Sequence, residues 1–297
     1  MQQHDWSEYQ AFLAIARAGR IGQAARAIGV DGTTMGRRLR RLEMRLGATL
    51  FEQTRTGQIL TEAGEALLPH VEAMAQAAAN VAEHQSDGGL AGTLRVSVAE
   101  GFGSWFLARH LPDFATDNPG LTIDLVASSG FLSPSKREAD IAVTLSRPKA
   151  GPLIARKLSD YALRLYVSPE YLAMAGTPQK LSDLARGYRL VGYIPDLIYA
   201  PELGYLNEIG ANLEVALRSS SINAQHHLIT AGAGIGVLPC FIGDADPRLT
   251  CVLPAHRITR SFWLTRHKDT VNLAKVRTFT AWLVDCVQRY RDDLLPP

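Results

Sequence analysis

Val30-Asp31-Gly32-Thr33-Thr34-Met35-Gly36-Arg37-Arg38-Leu39-Arg40-Arg41-Leu42-Glu43-Met44-Arg45-Leu46 is the stretch that decides how this chain is read. Met35, Leu39, Leu42 and Leu46 recur at helical spacing and share one side of an α-helix. Arg37, Arg41 and Arg45 follow one another at four-residue steps, flanked by Arg38 and Arg40. One face can bury while the other carries fixed positive charge. Guanidinium groups stay charged and make paired hydrogen bonds to phosphate oxygens or a guanine edge. An ordinary solvated face mixes lysine with glutamate, whereas here the first lysine is Lys136 and Glu43 is the helix's sole acid after Asp31. The helix suits a DNA groove.

Working back, Ile21 to Ile28 reads as a short helix, Gly29-Val30 as a tight turn and Asp31 as an N-cap. Small Ala24 and Ala25 allow a close helix crossing. Tyr9 to Ala18 supplies Phe12, Leu13, Ile15 and Ala16 as a third packing partner. Three short helices ending in a basic one form a helix-turn-helix whose second helix enters the major groove. Working forward, Leu50 to Thr61 reads as a β-hairpin wing with Arg55 near its tip.

On these residues the chain resembles the LysR-type transcriptional regulators. The matching elements are Ala24-Ala25, Arg37 with Leu42-Glu43, Leu46-Gly47, Leu50-Phe51-Glu52 and Leu60-Thr61-Glu62-Ala63-Gly64. The resemblance implies contact with promoter DNA through Gly32, Thr33, Thr34, Gly36, Arg37, Arg38, Arg41 and Arg55. Two departures bear on base preference. Gly36 stands where the family usually has serine, at a cost of about 1 kcal/mol relative to alanine, and Gln53 stands where arginine is common.

The charge distribution agrees. Overall net charge is +2, but residues 1–60 hold nine arginines and no lysine against five acids, leaving the remainder negative. No apolar run approaches the ~20 residues that cross a bilayer, and no signal peptide is evident. Cys240, Cys251 and Cys286 lack CxxC spacing, which suits a reducing cytoplasm.

From Thr61 to His84 a stripe of Ala63, Leu67, His70 or Val71, Met74, Ala78 and Val81 marks one helix about 36 Å long. Such a helix needs a partner. In the family this segment pairs antiparallel with a second copy, implying a homodimer and a tetramer as a dimer of dimers. Residues 85–92 read as a hinge linker.

The rest alternates strands and helices, which implies parallel sheet with helices on both faces. The expected fold class is α/β with an all-α, winged-helix head. Its boundaries are a winged helix-turn-helix over 1–60, a dimerisation helix over 61–84, the hinge, and an effector domain over 93–297. By resemblance that domain is two-subdomain and Rossmann-like, of the type 2 periplasmic-binding-protein kind. Subdomain one covers 93–160 and 267–297, subdomain two 161–266, with crossing strands near Tyr161–Leu165 and Leu264–His267.

Ligands of open α/β sheets sit beyond the carboxyl ends of strands, where helix N-termini point. The effector candidates are therefore Glu100, Gly101, Ser104, Ser128, Ser129, Thr144, Ile194, Ser220 and Ser221. Free amides and hydroxyls there suit an anion, although each serine alone could equally be a cap or turn residue. Glu100 opposes an anion, and suits a cationic or hydroxylated effector or simply faces solvent. The expected partners are thus double-stranded promoter DNA, an unidentified small-molecule effector and the chain itself, with no membrane, cofactor or metal.

Competing classes find little support. No His-Glu-x-x-His, P-loop, Gly-x-Ser-x-Gly or paired-cysteine motif occurs. The Gly232–Gly236 run enters a strand rather than a helix, the wrong order for a dinucleotide site. His226-His227 suits a solvated or structural role. A redox-responsive or effector-independent regulator of the same architecture is the alternative.

Overall fold

The computed structural model describes residues 5–55, 57–83, 90–130, 132–136, 138–148, 151–210 and 213–296. Thr56 of the hairpin, His84 and most of the hinge (85–89) lie outside the described residues, as does the Val81 side chain. Two compact units are present, Met1–Asp87 and Gly88–Pro297.

The first unit contains α1 (Trp6–Ala18), α2 (Ile21–Ala27), α3 (Gly32–Leu46), β1 (Phe51–Gln53), β2 (Gln58–Leu60) and α4 (Glu62–Glu83). Asp31 caps α3 by accepting from the Thr34 amide at 2.7 Å, and Gly47 ends it with φ 66°. Gly29, at φ 71°, makes the α2–α3 turn. Phe12, Ile15, Ala24, Met35, Leu42 and Val71 are fully buried together. Leu46 departs from the expected face and is 40% exposed, because the helix ends there and the chain turns away. β1 and β2 pair antiparallel. Their hairpin docks on the end of α1, where the Gln58 amide donates to the Gly19 carbonyl at 2.7 Å.

The stripe on α4 divides in two. Val71 is fully buried, and Ala63, Leu67 and Ala75 pack on the same core of the chain's own head. Met74 remains 41% exposed, and His70 and Ala78 are also exposed. The whole stripe therefore does not await a partner. Its first turns are consumed internally.

The second unit holds β3 (Gly92–Ala99), α5 (Ala108–Asp117), β4 (Leu121–Ser128), β5 (Ile141–Thr144), β6 (Leu153–Val167), α6 (Pro169–Ala175), β7 (Leu190–Gly192), α7 (Leu206–Ile209) and β8 (Val215–Arg218). It continues through α8 (Ile222–Thr230), β9 (Ile235–Pro239), α9 (Cys240–Gly243), β10 (Thr250–Val252), β11 (Ile258–His267), α10 (Ala274–Arg289) and α11 (Arg291–Leu294). Among the described residues one sheet runs β4-β3-β5-β11-β6-β9-β7-β8, with β10 on β6. β3 is parallel to β4 and β5, and β7 is parallel to β8 and β9. Each parallel set is one half of the domain. β6 and β11 run antiparallel through both halves.

The strands change halves slightly before the expected place on β11. Leu264 to Arg266 already pair with β5 of the first half, while Leu163 to Tyr166 pair with β9 of the second. An irregularity between Phe262 and Trp263 marks the passage. α10 returns to the first half, where Phe279 and Trp282 lie 5.1 and 5.0 Å from the Phe114 ring and buried Lys275 donates to the Thr93 carbonyl.

Helix begins at Glu100 and is π-helical over Phe102–Leu107 before α5. Its i→i+5 bonding brings residues five apart to nearly the same face. Gly103 permits this packing, since a Cβ there would lie 2.5 Å from both Ala127 Cβ and Val98 Cγ2.

Candidate functional site

Two separate regions collect the residues singled out by sequence. The first is the outer face of α3. Gly32, Thr33, Arg37, Arg40 and Arg41 are exposed there, while Thr34, Gly36 and Arg38 are half-buried. Nothing lies within 4 Å of where a Gly36 Cβ would sit, so the backbone itself is approachable. Asp31 is held below the usual carboxylate range by hydrogen bonds from Thr34 and so stays ionised as the helix cap.

Two charges of α3 turn inward instead. Arg45 bonds Glu8 of α1 at 2.9 Å, and Glu8 is only 3% exposed. It therefore leaves the arginine row and acts as a brace between helices. Glu43 accepts the Leu50 amide at 2.8 Å, tying α3 to the wing. The helix's acid thus points away from the exposed arginines.

Arg55 is exposed in the hairpin turn. With Arg20, Gln53 and Gln58 it lines a concavity of about 230 Å³ beside the start of α2. Gly57 makes the close approach possible, because a Cβ there would meet the Gly19 carbonyl oxygen at 2.3 Å.

The second region lies between the two halves of the second unit. Glu100, at the carboxyl end of β3, reaches the N-terminus of α8. Its carboxylate accepts the Ser221 hydroxyl at 2.7 Å, the Ile222 amide at 3.0 Å and the Asn223 side-chain amide at 3.1 Å. Ser221 also caps α8 by accepting from the Ala224 amide. Five residues on from Glu100, Trp105 donates to the Asn223 side-chain oxygen at 2.8 Å and packs edge-on against His226. Ser104 accepts from Asn223 at 3.3 Å. The π-helical turn therefore presents Glu100, Ser104 and Trp105 together to α8. Glu100 does not face solvent: it fills the seat that a free helix N-terminus would offer an anion.

Behind this contact is a cavity of about 30 Å³, room for little more than one water. Gly101 lines it, packed so closely that a Cβ would come within 3.1 Å of Ile242 and 3.2 Å of Ile222. Half of the lining residues are aromatic, Phe241 together with Phe102, Tyr161, Tyr193, Tyr199, Tyr205 and Phe262. Tyr161 stacks on Phe262 at 4.1 Å, and Tyr193 meets Tyr205 edge-on at 6.0 Å. Burial pushes these tyrosines up, and the Glu100 charge adds to burial in taking Tyr199 to about 12. At the other lip the Ser146 hydroxyl donates to the Glu202 carboxylate, so a second carboxylate joins the halves.

The remaining expected effector residues do not converge on this cavity. Ser128 bonds the Gly130 carbonyl, Thr144 donates to the Ser146 carbonyl at 2.8 Å, and Ile194 flanks a helical turn at Pro195. Ser129 and Ser220 are half-buried and absent from its wall. The tyrosines at 199 and 205 were missed. Their sequence signal is faint, a tyrosine every six residues from 193 to 205 in an irregular stretch.

His226 has a structural setting. Asp246 is held well below the carboxylate range by the Arg248 guanidinium, so it can only accept, and His226 Nε2 donates to it at 2.8 Å. Burial lowers His226, which stays neutral. Among the described residues no metal-ligating cluster and no membrane-crossing helix occurs. Cys240 and Cys286 are buried, and burial pushes all three thiols up, Cys286 to about 11, which leaves little reactive thiolate.

Known proteins resemble both units of the chain. Residues 6–65 match the bacterial regulatory helix-turn-helix protein family of lysR type, and residues 87–287 match the LysR substrate binding domain. The Mau operon transcriptional activator of Paracoccus denitrificans is 26% identical over 291 residues, covering 95% of this chain and 96% of that protein. The structure of CrgA, a LysR-type transcriptional regulator from Neisseria meningitidis, is 26% identical and aligns with a TM-score of 0.58 over 95% of this chain and 99% of that one. The fold is also that of full-length CbnR, solved in complex with its target DNA (20% identity, TM-score 0.66, 96% of this chain and 99% of that chain). With a helix-turn-helix head, a two-halved α/β domain and these matches across both, the chain belongs to the LysR family of bacterial transcriptional regulators.

Proposed function

We propose that the protein reads promoter DNA through Gly32, Thr33, Thr34, Gly36, Arg37, Arg38 and Arg41 of α3, with Arg55 of the wing on the backbone. The single observation behind this is the exposed arginine face of α3, from which Glu43 and Arg45 have been drawn inward. Arg37 and Arg38, nearest the helix start, are placed to meet base edges, and Arg41 to meet phosphate.

Two copies pair through the free half of α4. Beside Ala75 and Ala78 an apolar groove of about 580 Å³ is lined by Trp6, Leu13 and Ala14, which supports a second helix packing there. Dimers associate further into a tetramer, and the protein works in the cytoplasm as a regulator without catalytic activity of its own.

A small molecule acts in the cleft between the halves of the 93–297 domain. The 30 Å³ cavity is the cleft's closed form, and a ligand of ordinary size opens it by bending β6 and β11. A thermal-shift screen of metabolites against the full chain, followed by promoter-binding assays with each hit, tests this. A hit that stabilises the protein and changes promoter binding is expected. A complete absence of hits, with promoter binding intact, would remove the effector from the reading.

A further inference from the structure

We propose that the effector carries an ammonium group, recognised by the aromatic cavity and by the Glu100 and Glu202 carboxylates at its two lips. This rests on the cleft being the effector site.

The α8 N-terminus, where an anion could sit, is already taken. Glu100 satisfies the Ser221 hydroxyl, the Ile222 amide and the Asn223 amide together. All three partners are neutral, so they satisfy the oxygens without cancelling the charge, and the α8 dipole offsets only about half of it. Glu202 is held by the Ser146 hydroxyl, again a neutral group. The nearby cation, Arg260, is committed elsewhere: it pairs with Glu208 and donates to the Glu202 and Thr259 carbonyls. None of the residues lining the cavity is charged.

The lining itself favours the same class. Aromatic faces are negative and attract cations, most strongly where water is excluded. Tyr161 stacks on Phe262 with ring centroids 4.1 Å apart, and Phe102 meets Phe262 at a tilt, 4.6 Å away. Tyr193, Tyr199 and Tyr205 stand with them in the same wall. An anion entering this space would face two carboxylates, while Arg260, the nearby cation among the described residues, is already paired with Glu208. A neutral molecule would gain burial alone. An ammonium gains burial, ring faces and both carboxylates. On opening, it replaces the α8 donors as the partner of Glu100, which couples ligand charge to separation of the halves.

The test uses one skeleton in three charge states. Benzylammonium, benzyl alcohol and benzoate, then propylammonium, propanol and propionate, are titrated into the full chain at matched ionic strength, with affinity read by calorimetry and thermal shift. The ammonium member of at least one series is expected to bind and its carboxylate not to. Glu100→Gln and Glu202→Gln should each weaken ammonium binding by about tenfold or more, the loss of a charge-assisted contact, and leave any binding of the alcohol unchanged. The second variant keeps the comparison standing if the first fails to fold. Preferential binding of a carboxylate or alcohol overturns the ammonium assignment and leaves the effector reading intact. If none of the six binds, the assignment also fails, and the metabolite screen then decides whether the cleft reading fails with it.

Discussion

Arg45 and Glu8 close on each other at 2.9 Å between α3 and α1, with Glu8 only 3% exposed. By spacing Arg45 belongs with Arg37 and Arg41, yet its role is internal. Arg45→Ala strands a buried carboxylate and should cost about 2–3 kcal/mol, at or below the lower end for broken buried pairs because Arg45 is partly solvated. Arg41→Ala should change stability by less than about 0.5 kcal/mol. Urea denaturation of the two variants checks this, and equal stability would contradict the brace.

The divided stripe on α4 changes which substitution reports on pairing. Leu67 packs on the head core, so a charge there would unfold the head as well as disrupt a dimer. Met74, 41% exposed, is the cleaner position. Met74→Glu should give a folded monomer by light scattering with normal circular dichroism. A fully dimeric Met74→Glu protein would place the interface elsewhere.

Acid should destabilise the protein through its buried histidines. Burial lowers both His110 and His226 from the usual imidazole value. As pH falls below about 6.5 the unfolded chain takes up protons first. Stability is therefore full above that pH and declines below it. For His226 the cause is visible: Nδ1 is buried without a partner among the described residues, so protonation would strand an N–H there. Tm should be lower at pH 5.5 than at pH 7.5, and His226→Gln should show a smaller drop. A Tm that holds or rises on acidification would contradict the neutral assignment.

Gly101 lines the cleft cavity packed closely against Ile222 and Ile242. Gly101→Val should wedge the halves apart, at a cost of about 1–3 kcal/mol for overpacking. It should also remove the stabilisation conferred by any cleft ligand. Calorimetry of the variant with and without a hit from the metabolite screen checks both, and an undiminished ligand-induced shift would move the site away from Gly101.

The head was largely legible in the sequence because its signals are local. The α3 period, the Asp31 cap and the glycine turn each act within a few residues, and they placed α1, α2, α3 and the wing. The cleft was less legible because its partners are distant. Glu100 and Ser221 are 121 residues apart, and neither carries a mark of the other. The π-helical turn leaves no hydrophobic period that separates it from an α-helix, so its closer grouping of Glu100, Ser104 and Trp105 has no signature in the sequence. Arg45 and Leu67 were misassigned for a related reason. Periodicity tells which face a residue shares and not which neighbour occupies that face.

The most direct measurement is affinity of the full chain for a duplex from its own promoter and for a scrambled duplex, by fluorescence anisotropy across a salt series. If α3 reads DNA, Arg37→Ala should weaken specific binding by roughly 1–3 kcal/mol and narrow the gap between the two duplexes. Arg41→Ala should weaken both alike and reduce the salt slope by about 1. Unchanged affinity for both duplexes in both folded variants would contradict the assignment of α3 as the DNA-reading helix.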